Sequence, residues 1–319
     1  MRQAPADHSP SPIVDALRRA LHLKGSSLVM TLFGDAIAVR GQAVWLSGLI
    51  KLASPFGLSS RLVRTSVYRL VADDWLLASR EGRRSHYRLS PSGARRVRHA
   101  QRRIYNVEVP TVDTPGSTLL MISHGLKASA RQQLQRELLW NGYGEIAEGV
   151  YAHTRADRAC LQDILLANRA CDHVCVMQAD LDARMSTRPL HALRGDRCCA
   201  GRLEQAWRRF IERFSPVLTS STAMSDHEAF LIRTLLVHEF RRILQRQPIL
   251  LNDQDCDERA SNQARRLFTH LYKQLFQPSE RFLDLELLGC PNITPLPTSA
   301  RRSPGKPPHH PAFAAHGLH

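Results

Sequence analysis

Residues 61–71 read RLVRTSVYRLV. Wound at about 100° per residue, they place Arg61, Arg64, Thr65, Tyr68 and Arg69 in one stripe roughly 140° wide, with Leu62, Val63, Val67, Leu70 and Val71 opposite. One face suits a core. The other carries guanidinium forks, a hydroxyl and a phenol, the groups that read base edges and grip phosphates in a major groove. A second basic element follows in WLLASREGRRSHYRLSPSGARR (75–96), where two apolar and aromatic stretches flank the tip Glu81-Gly82-Arg83-Arg84 and run on through Ser85 and His86. A solvated loop needs polarity, but not this much cationic charge. From Arg61 to Arg103 there are twelve arginines against three acids, a net +9 of the chain's +15. Charge concentrated in this way points to an anionic polymer rather than to solubility. Arg61, Arg64, Thr65, Tyr68, Arg69, Arg83, Arg84, Ser85 and His86 are the expected DNA contacts.

Other chemistry is less well supplied. Gly142-Tyr143-Gly144-Glu145-Ile146-Ala147 matches a dinucleotide fingerprint, but it closes a helix and enters a strand, the reverse of what phosphate binding needs. His238-Glu239 starts like a zinc-protease motif, yet Arg242 stands where the second histidine belongs. Asp253, Asp255 and Asp257 alternate as in a calcium loop, but Glu258 replaces the turn glycine and Ala264 the last ligand. The seven cysteines, Cys171, Cys175 and the Cys198-Cys199 pair among them, lack zinc-finger spacing and read as reduced thiols. No cofactor or metal is expected.

Three blocks must position these groups. The first reads helix–helix–helix–hairpin–helix: SSLVMTLFGDAIAV opened by Ser26 or Ser27, AVWLSGLIKLAS ended by Pro55, and LSSRLVRTSVYRLVADD capped by Ser59 or Ser60. The hairpin comes next, then the basic helix SPSGARRVRHAQRRIY. Three helices followed by a hairpin make a winged helix-turn-helix, its third helix in the major groove and Arg83 and Arg84 at the wing tip against phosphates. The second block alternates strand STLLMIS, helix KASARQQLQRELLWNGYG, strand AEGVYAHT, helix RADRACLQDILLAN and strand DHVCVMQAD. This order suggests a ferredoxin-like sandwich with one strand hidden. The third block, about 200–288, is helical. The expected fold is thus α+β and multidomain, with boundaries at 13–108, 109–195 and 196–290. Pro-rich tails at 1–12 and 291–319 cannot bury a core and read as disordered. No apolar run approaches the ~20 residues that span a bilayer, and MRQAPADHSPSP has no apolar signal region, so a cytoplasmic protein with no membrane partner is expected.

The motifs TLFGD (31–35), RGQAVWLSGLIKLASPFGLSSRLVRTSVYRL (40–70), GRRSHYRLSPSG (82–93), RIY (103–105), LLWNGYGEIAEGVY (138–151) and LLVHEFRRIL (235–244) closely resemble the PaaX family, repressors of bacterial phenylacetic-acid degradation. The resemblance covers most of residues 26–245. It implies a winged helix, a Cas2-like ferredoxin-like middle domain and a helical C-terminal region. It also implies a homodimer on double-stranded operator DNA, released by phenylacetyl-coenzyme A or a related aryl-CoA. Family members carry an Asp-Trp-Pro-like turn after the helix matching 235–245; here QPILLNDQDCDERASNQ has no tryptophan.

Coenzyme A phosphates would find arginines at 202, 208, 209, 213, 233, 241, 242 and 246, of which Arg241 and Arg242 are the best placed. An aryl slot could draw on Trp140, Tyr143, Tyr151 and Phe240. Residues 1–108 contain the whole winged helix and are expected to bind DNA weakly alone. A Cas2-like middle block also raises an alternative, a metal-dependent nucleic-acid-processing enzyme. That alternative needs carboxylates at the end of the first strand, and LLMISHG puts Ser123 and His124 there.

Overall fold

The computed structural model describes residues 12–40, 43–105, 117–154, 156–180, 200–219, 224–245 and 258–287. The expected tails, except Pro12, and the Asp253–Asp257 alternation therefore lie outside the described residues, as does the Cys198-Cys199 pair. The fold is mixed α and β, with two antiparallel sheets. Two compact units divide the chain. The first takes Met1–Gly93, Phe210–Glu239 and Arg265–Pro304; the second takes Ala94–Arg209, Phe240–Ala264 and Gly305–His319.

The first unit opens with α1 (Pro12–Ala20), which the sequence pattern did not signal, and α2 (Gly25–Leu32). The expected single helix over 26–39 instead changes pitch. After α2 comes a π-helical turn, Phe33–Ile37, and a 3-10 turn, Ala38–Arg40. The expected helix over 43–54 is corrected at its start. Ala43–Trp45 form strand β1, which pairs with the wing-like hairpin, and α3 runs only from Leu46 to Ala53. Local apolar periodicity cannot reveal a strand of three residues whose partner lies forty positions on. Helix α4 (Ser60–Ala72) begins where expected: the Ser59 hydroxyl accepts the Leu62 N–H at 3.2 Å. Strands β2 (Leu76–Glu81) and β3 (Arg84–Leu89) complete a sheet ordered β1-β3-β2. Gly82, at φ +57°, supplies the left-handed first position of the two-residue turn.

Close approaches lock these pieces together. A Cβ on Gly25 would sit 2.4 Å from the Ser66 hydroxyl, so α2 lies directly on α4. At the hairpin base, the Ser90 hydroxyl donates to the Asp74 carbonyl at 2.7 Å and accepts the Gly93 N–H at 2.8 Å. That serine fixes the hairpin to the start of α5 (Pro91–Tyr105).

A buried ion lattice anchors the π-helical turn. Arg233, on α10 (Asp226–Leu244), reaches the Asp35 carboxylate at 2.9 Å and donates to the Asp35 carbonyl at 3.1 Å and Glu280 at 2.7 Å. Its guanidinium lies 5.0 Å from the Tyr272 ring centre and 4.8 Å from that of Phe276. Tyr272 donates its hydroxyl to Asp35 at 2.8 Å. Arg40 pairs with Glu280 and, at 3.6 Å, with Asp284. Tyr272, Phe276, Glu280 and Asp284 all lie on α11 (Glu258–Glu286). Arg40 and Arg233 are 2% and 1% exposed, so both charges depend on these partners. Burial lowers the Arg40 pKa despite Glu280, whereas the neighbouring carboxylates hold Arg233 well above its usual value against desolvation.

The second unit holds β4 (Ser117–Ile122), α6 (Ala128–Trp140), β5 (Gly144–Ala147), β6 (Val150–His153), α7 (Arg158–Ala167) and β7 (Val174–Ala179). The sheet order is β5-β6-β4-β7, antiparallel throughout. The strand hidden from the sequence is β5. AEGVYAHT is not one strand: Glu148 and Gly149, the latter at φ +72°, turn the chain between β5 and β6. Leu120, Leu134, Leu138, Tyr151 and Ile164 fill the core. Helices α8 (Ala200–Phe214) and α10 give residues to both units, and α9 (Pro216–Thr219) is a single turn.

Two outcomes follow from this packing. Arg233→Ala removes the buried cation that Asp35 pairs with and leaves Glu280 to Arg40 alone, and the expected loss is about 3–5 kcal/mol. Urea unfolding of the full chain measures it; a loss below about 1 kcal/mol, the range of a surface pair, would contradict the lattice. The second outcome concerns His153. Burial, aided by the charge of Arg103, lowers its pKa from 6.5 to about 3. Between those values the unfolded chain takes up a proton that the folded chain refuses. Stability is therefore complete above about pH 6.5 and falls as pH drops toward 3, by up to about 1.4 kcal/mol per pH unit from this group. His153→Gln should flatten that acid limb in urea melts; an unchanged slope would count against a neutral buried imidazole.

Candidate nucleic-acid interface

The stripe on α4 is real surface. Arg61, Arg64, Thr65, Tyr68 and Arg69 are all exposed, and the Tyr68 ring, 76% exposed, stands open among the arginines. Val63, Ser66, Val67 and Leu70 form the opposite, buried face. Leu62 departs from its expected side: it is 43% exposed, at the margin where α4 meets Gly25. Local bonds tune what the stripe presents. The Thr65 hydroxyl donates to the Arg61 carbonyl at 3.0 Å, so its proton is already used within the helix. The Arg64 guanidinium leans back to the Ser60 hydroxyl at 3.4 Å.

In the hairpin, Arg83 and Arg84 are exposed at the tip, while Ser85 and His86 are half-buried. His86 sits opposite Trp45 and packs edge-on against it, with ring centres 5.2 Å apart. Its ring therefore helps to hold β1 to the hairpin. Two further arginines of the hairpin, Arg80 and Arg88, are exposed and stand outside the expected set. Arg88 shares the strand face of Arg84 and His86, so period-two alternation could have found it. Arg80 donates to the Gly82 carbonyl at 3.2 Å and braces the turn.

The charge count from Arg61 to Arg103 overstated this surface. On α5, Arg96 pairs with Glu137 at 2.7 Å, Arg102 pairs with Asp157, and Arg103 donates to the Trp140 and Leu244 carbonyls at 2.6 and 2.8 Å. These three guanidinium groups hold the second unit together. Within α4 and the hairpin the exposed cations are Arg61, Arg64, Arg69, Arg80, Arg83, Arg84 and Arg88.

The other candidates fall elsewhere. Arg233 belongs to the buried lattice. His238 lies 3.0 Å from the Thr31 hydroxyl, and Glu239 pairs with Arg213 at 3.2 Å, so the zinc-protease fragment is interior structure. Arg241 is buried and Arg242 half-buried. Desolvation first, then the charge of Arg242, lower the Arg241 pKa to about 10. The Arg241 guanidinium lies 5.8 Å from the Trp140 ring centre, and Phe240 packs against Trp207 at 5.2 Å. Tyr143 and Tyr151 lie in the core of the second unit. Among the described residues no cluster of His, Cys, Asp and Glu could hold a metal, and no helix is long and apolar enough to cross a membrane.

Residues 24–93 match the family model described as PaaX-like protein, and residues 200–285 match that of the PaaX-like protein C-terminal domain. The chain is 32% identical over 269 residues to the transcriptional repressor PaaX of Escherichia coli strain K12, covering 80% of this chain and 82% of that one. A solved structure, the uncharacterized protein Rv0674 from Mycobacterium tuberculosis, is 20% identical and covers 81% of this chain and 99% of its own. Its TM-score of 0.40 is too low to carry an argument. The first match spans α2, β1, α3, α4 and the hairpin, the elements that build the arginine surface. The chain belongs to the PaaX family.

Proposed function

We propose that this protein is a transcriptional repressor of an aromatic-acid catabolic operon, of the phenylacetate type, and that it acts by binding rather than catalysis. In this reading α3, α4 and the β1-β3-β2 sheet are a winged helix-turn-helix. Helix α4 enters the major groove and the β2–β3 wing lies along the backbone. The observation that carries the reading is the exposed α4 stripe, with Tyr68 and Thr65 set among Arg61, Arg64 and Arg69. Arginine and threonine there suit base edges, and Arg83 and Arg84 suit phosphates. The strand order of the second unit supports a ferredoxin-like, Cas2-like domain. A homodimer engages two half-sites about one turn, ~34 Å, apart.

Release belongs to an aryl-CoA such as phenylacetyl-CoA. Arg242 is the more accessible candidate for its phosphates. Arg241 is buried, so it can engage one only if its end of α10 opens. The ligand must bind the DNA-free conformation more tightly than the DNA-bound one, and DNA must weaken ligand binding by the same factor.

Two experiments test this reading. Arg61→Ala or Arg64→Ala should cost about 1–3 kcal/mol of specific binding if either reads a base, whereas Arg83→Ala should weaken all sequences alike and lower the salt slope by about one. Unchanged affinity in all three would overturn the placement of α4 and the wing. In gel shifts, phenylacetyl-CoA should release operator DNA while free phenylacetate and free coenzyme A do not. If no aryl thioester acts at millimolar concentration, the effector assignment falls and DNA binding stands.

A further inference from the structure

Arg18 lies outside residues 24–93 that match the family model, and the helical stripe does not include it. It comes from α1, yet its guanidinium rests on the turn that leads into α4. A Cβ placed on Gly57 would sit 3.2 Å from Arg18 Nη2. Gly57 is exposed and has φ +82°, so the backbone demands glycine there and the missing side chain leaves room for the guanidinium. Three residues later α4 begins. Ser59, Ser60, Arg61 and Arg64 are exposed at this end, and Arg64 is drawn back onto Ser60. Three guanidinium groups thus belong to one end of α4, and α4 itself carries no acid.

We infer that Arg18 is a DNA-backbone contact, gripping a phosphodiester on the strand that borders the groove α4 occupies. This inference rests on the DNA-binding reading of α4. Base reading is not its role, because Arg18 belongs to another helix and not to the α4 stripe. Contacts of that kind position a protein without carrying sequence information. The neighbouring carboxylate supports the assignment. Asp15 lies 3.5 Å from Arg18 Nη1, with the two side chains 40% and 31% exposed. A pair so open is weak, and a phosphate oxygen can replace it. Asp15 then stands in for the phosphate in the free protein and competes with DNA for Arg18.

The test is titration of the full chain with random and operator double-stranded DNA at several salt concentrations, with urea melts of each variant. Arg18→Ala should lower the salt slope by about 0.9 and weaken both DNAs equally, about fivefold at 0.15 M salt. Arg18→Lys should keep the slope. Asp15→Asn should tighten binding, and should do little in the Arg18→Ala background. If the parent chain binds with a salt slope and Arg18→Ala leaves slope and affinity unchanged, Arg18 is no backbone contact and the reading of α4 survives. A lower urea midpoint with an unchanged slope also overturns the inference, because it makes Arg18 a packing residue. If the parent chain shows no salt-dependent binding at all, the reading of α4 fails first and the Arg18 contact with it.

Discussion

Arg233 is the interaction on which the first unit depends. It is fully buried, and its charge is met by the Asp35 carboxylate, the Asp35 carbonyl and Glu280. A buried guanidinium tolerates no loose geometry, because each unmet proton is a desolvated charge. Asp35 lies within the π-helical turn Phe33–Ile37, and from there both its carbonyl and its carboxylate meet the one cation. Helix α2 is held at its far end by this lattice and at its near end by the Gly25–Ser66 approach to α4. The stripe of arginines on α4 is therefore referenced to α10 and α11 through α2.

This arrangement changes how the chain should be divided. Residues 1–108 looked self-sufficient because they contain three helices and a hairpin. They also contain Asp35 and Arg40, whose partners Arg233, Glu280 and Asp284 lie more than a hundred residues later. A fragment ending at 108 would bury these charges alone or expose the core beneath them. The first compact unit accordingly gathers Phe210–Glu239 and Arg265–Pro304 around the N-terminal elements. A continuous N-terminal module is not what the contacts describe.

What the sequence disclosed was local and periodic. The stripe on α4, its Ser59 cap, the hairpin turn at Gly82 and the strands β4 and β7 could be read because their cause lies within a few residues. What escaped depends on distant partners. Strand β1 is three residues long and exists through its pairing to β3. Strand β5 is hidden because a two-residue turn at Glu148 and Gly149 interrupts an otherwise continuous strand pattern. Composition also misled. Arginine is equally suited to a phosphate and to a carboxylate, so counting charge from 61 to 103 merged two surfaces. Glu137 and Asp157 bind Arg96 and Arg102, and nothing near those arginines in the chain announces it. Buried Arg241 shows the same limit, since helical periodicity alone gave no reason to place it inside.

The central claim is that the anion-binding face is made by α4 and the wing of the first unit. Hydrogen exchange of the full chain with and without double-stranded DNA addresses it directly, because it reports binding residue by residue without mutation. The account predicts slowed exchange in 57–72 and 76–89 when DNA is added, with 117–179 unchanged. Protection confined to 117–179, with α4 and the wing exchanging as before, would contradict it.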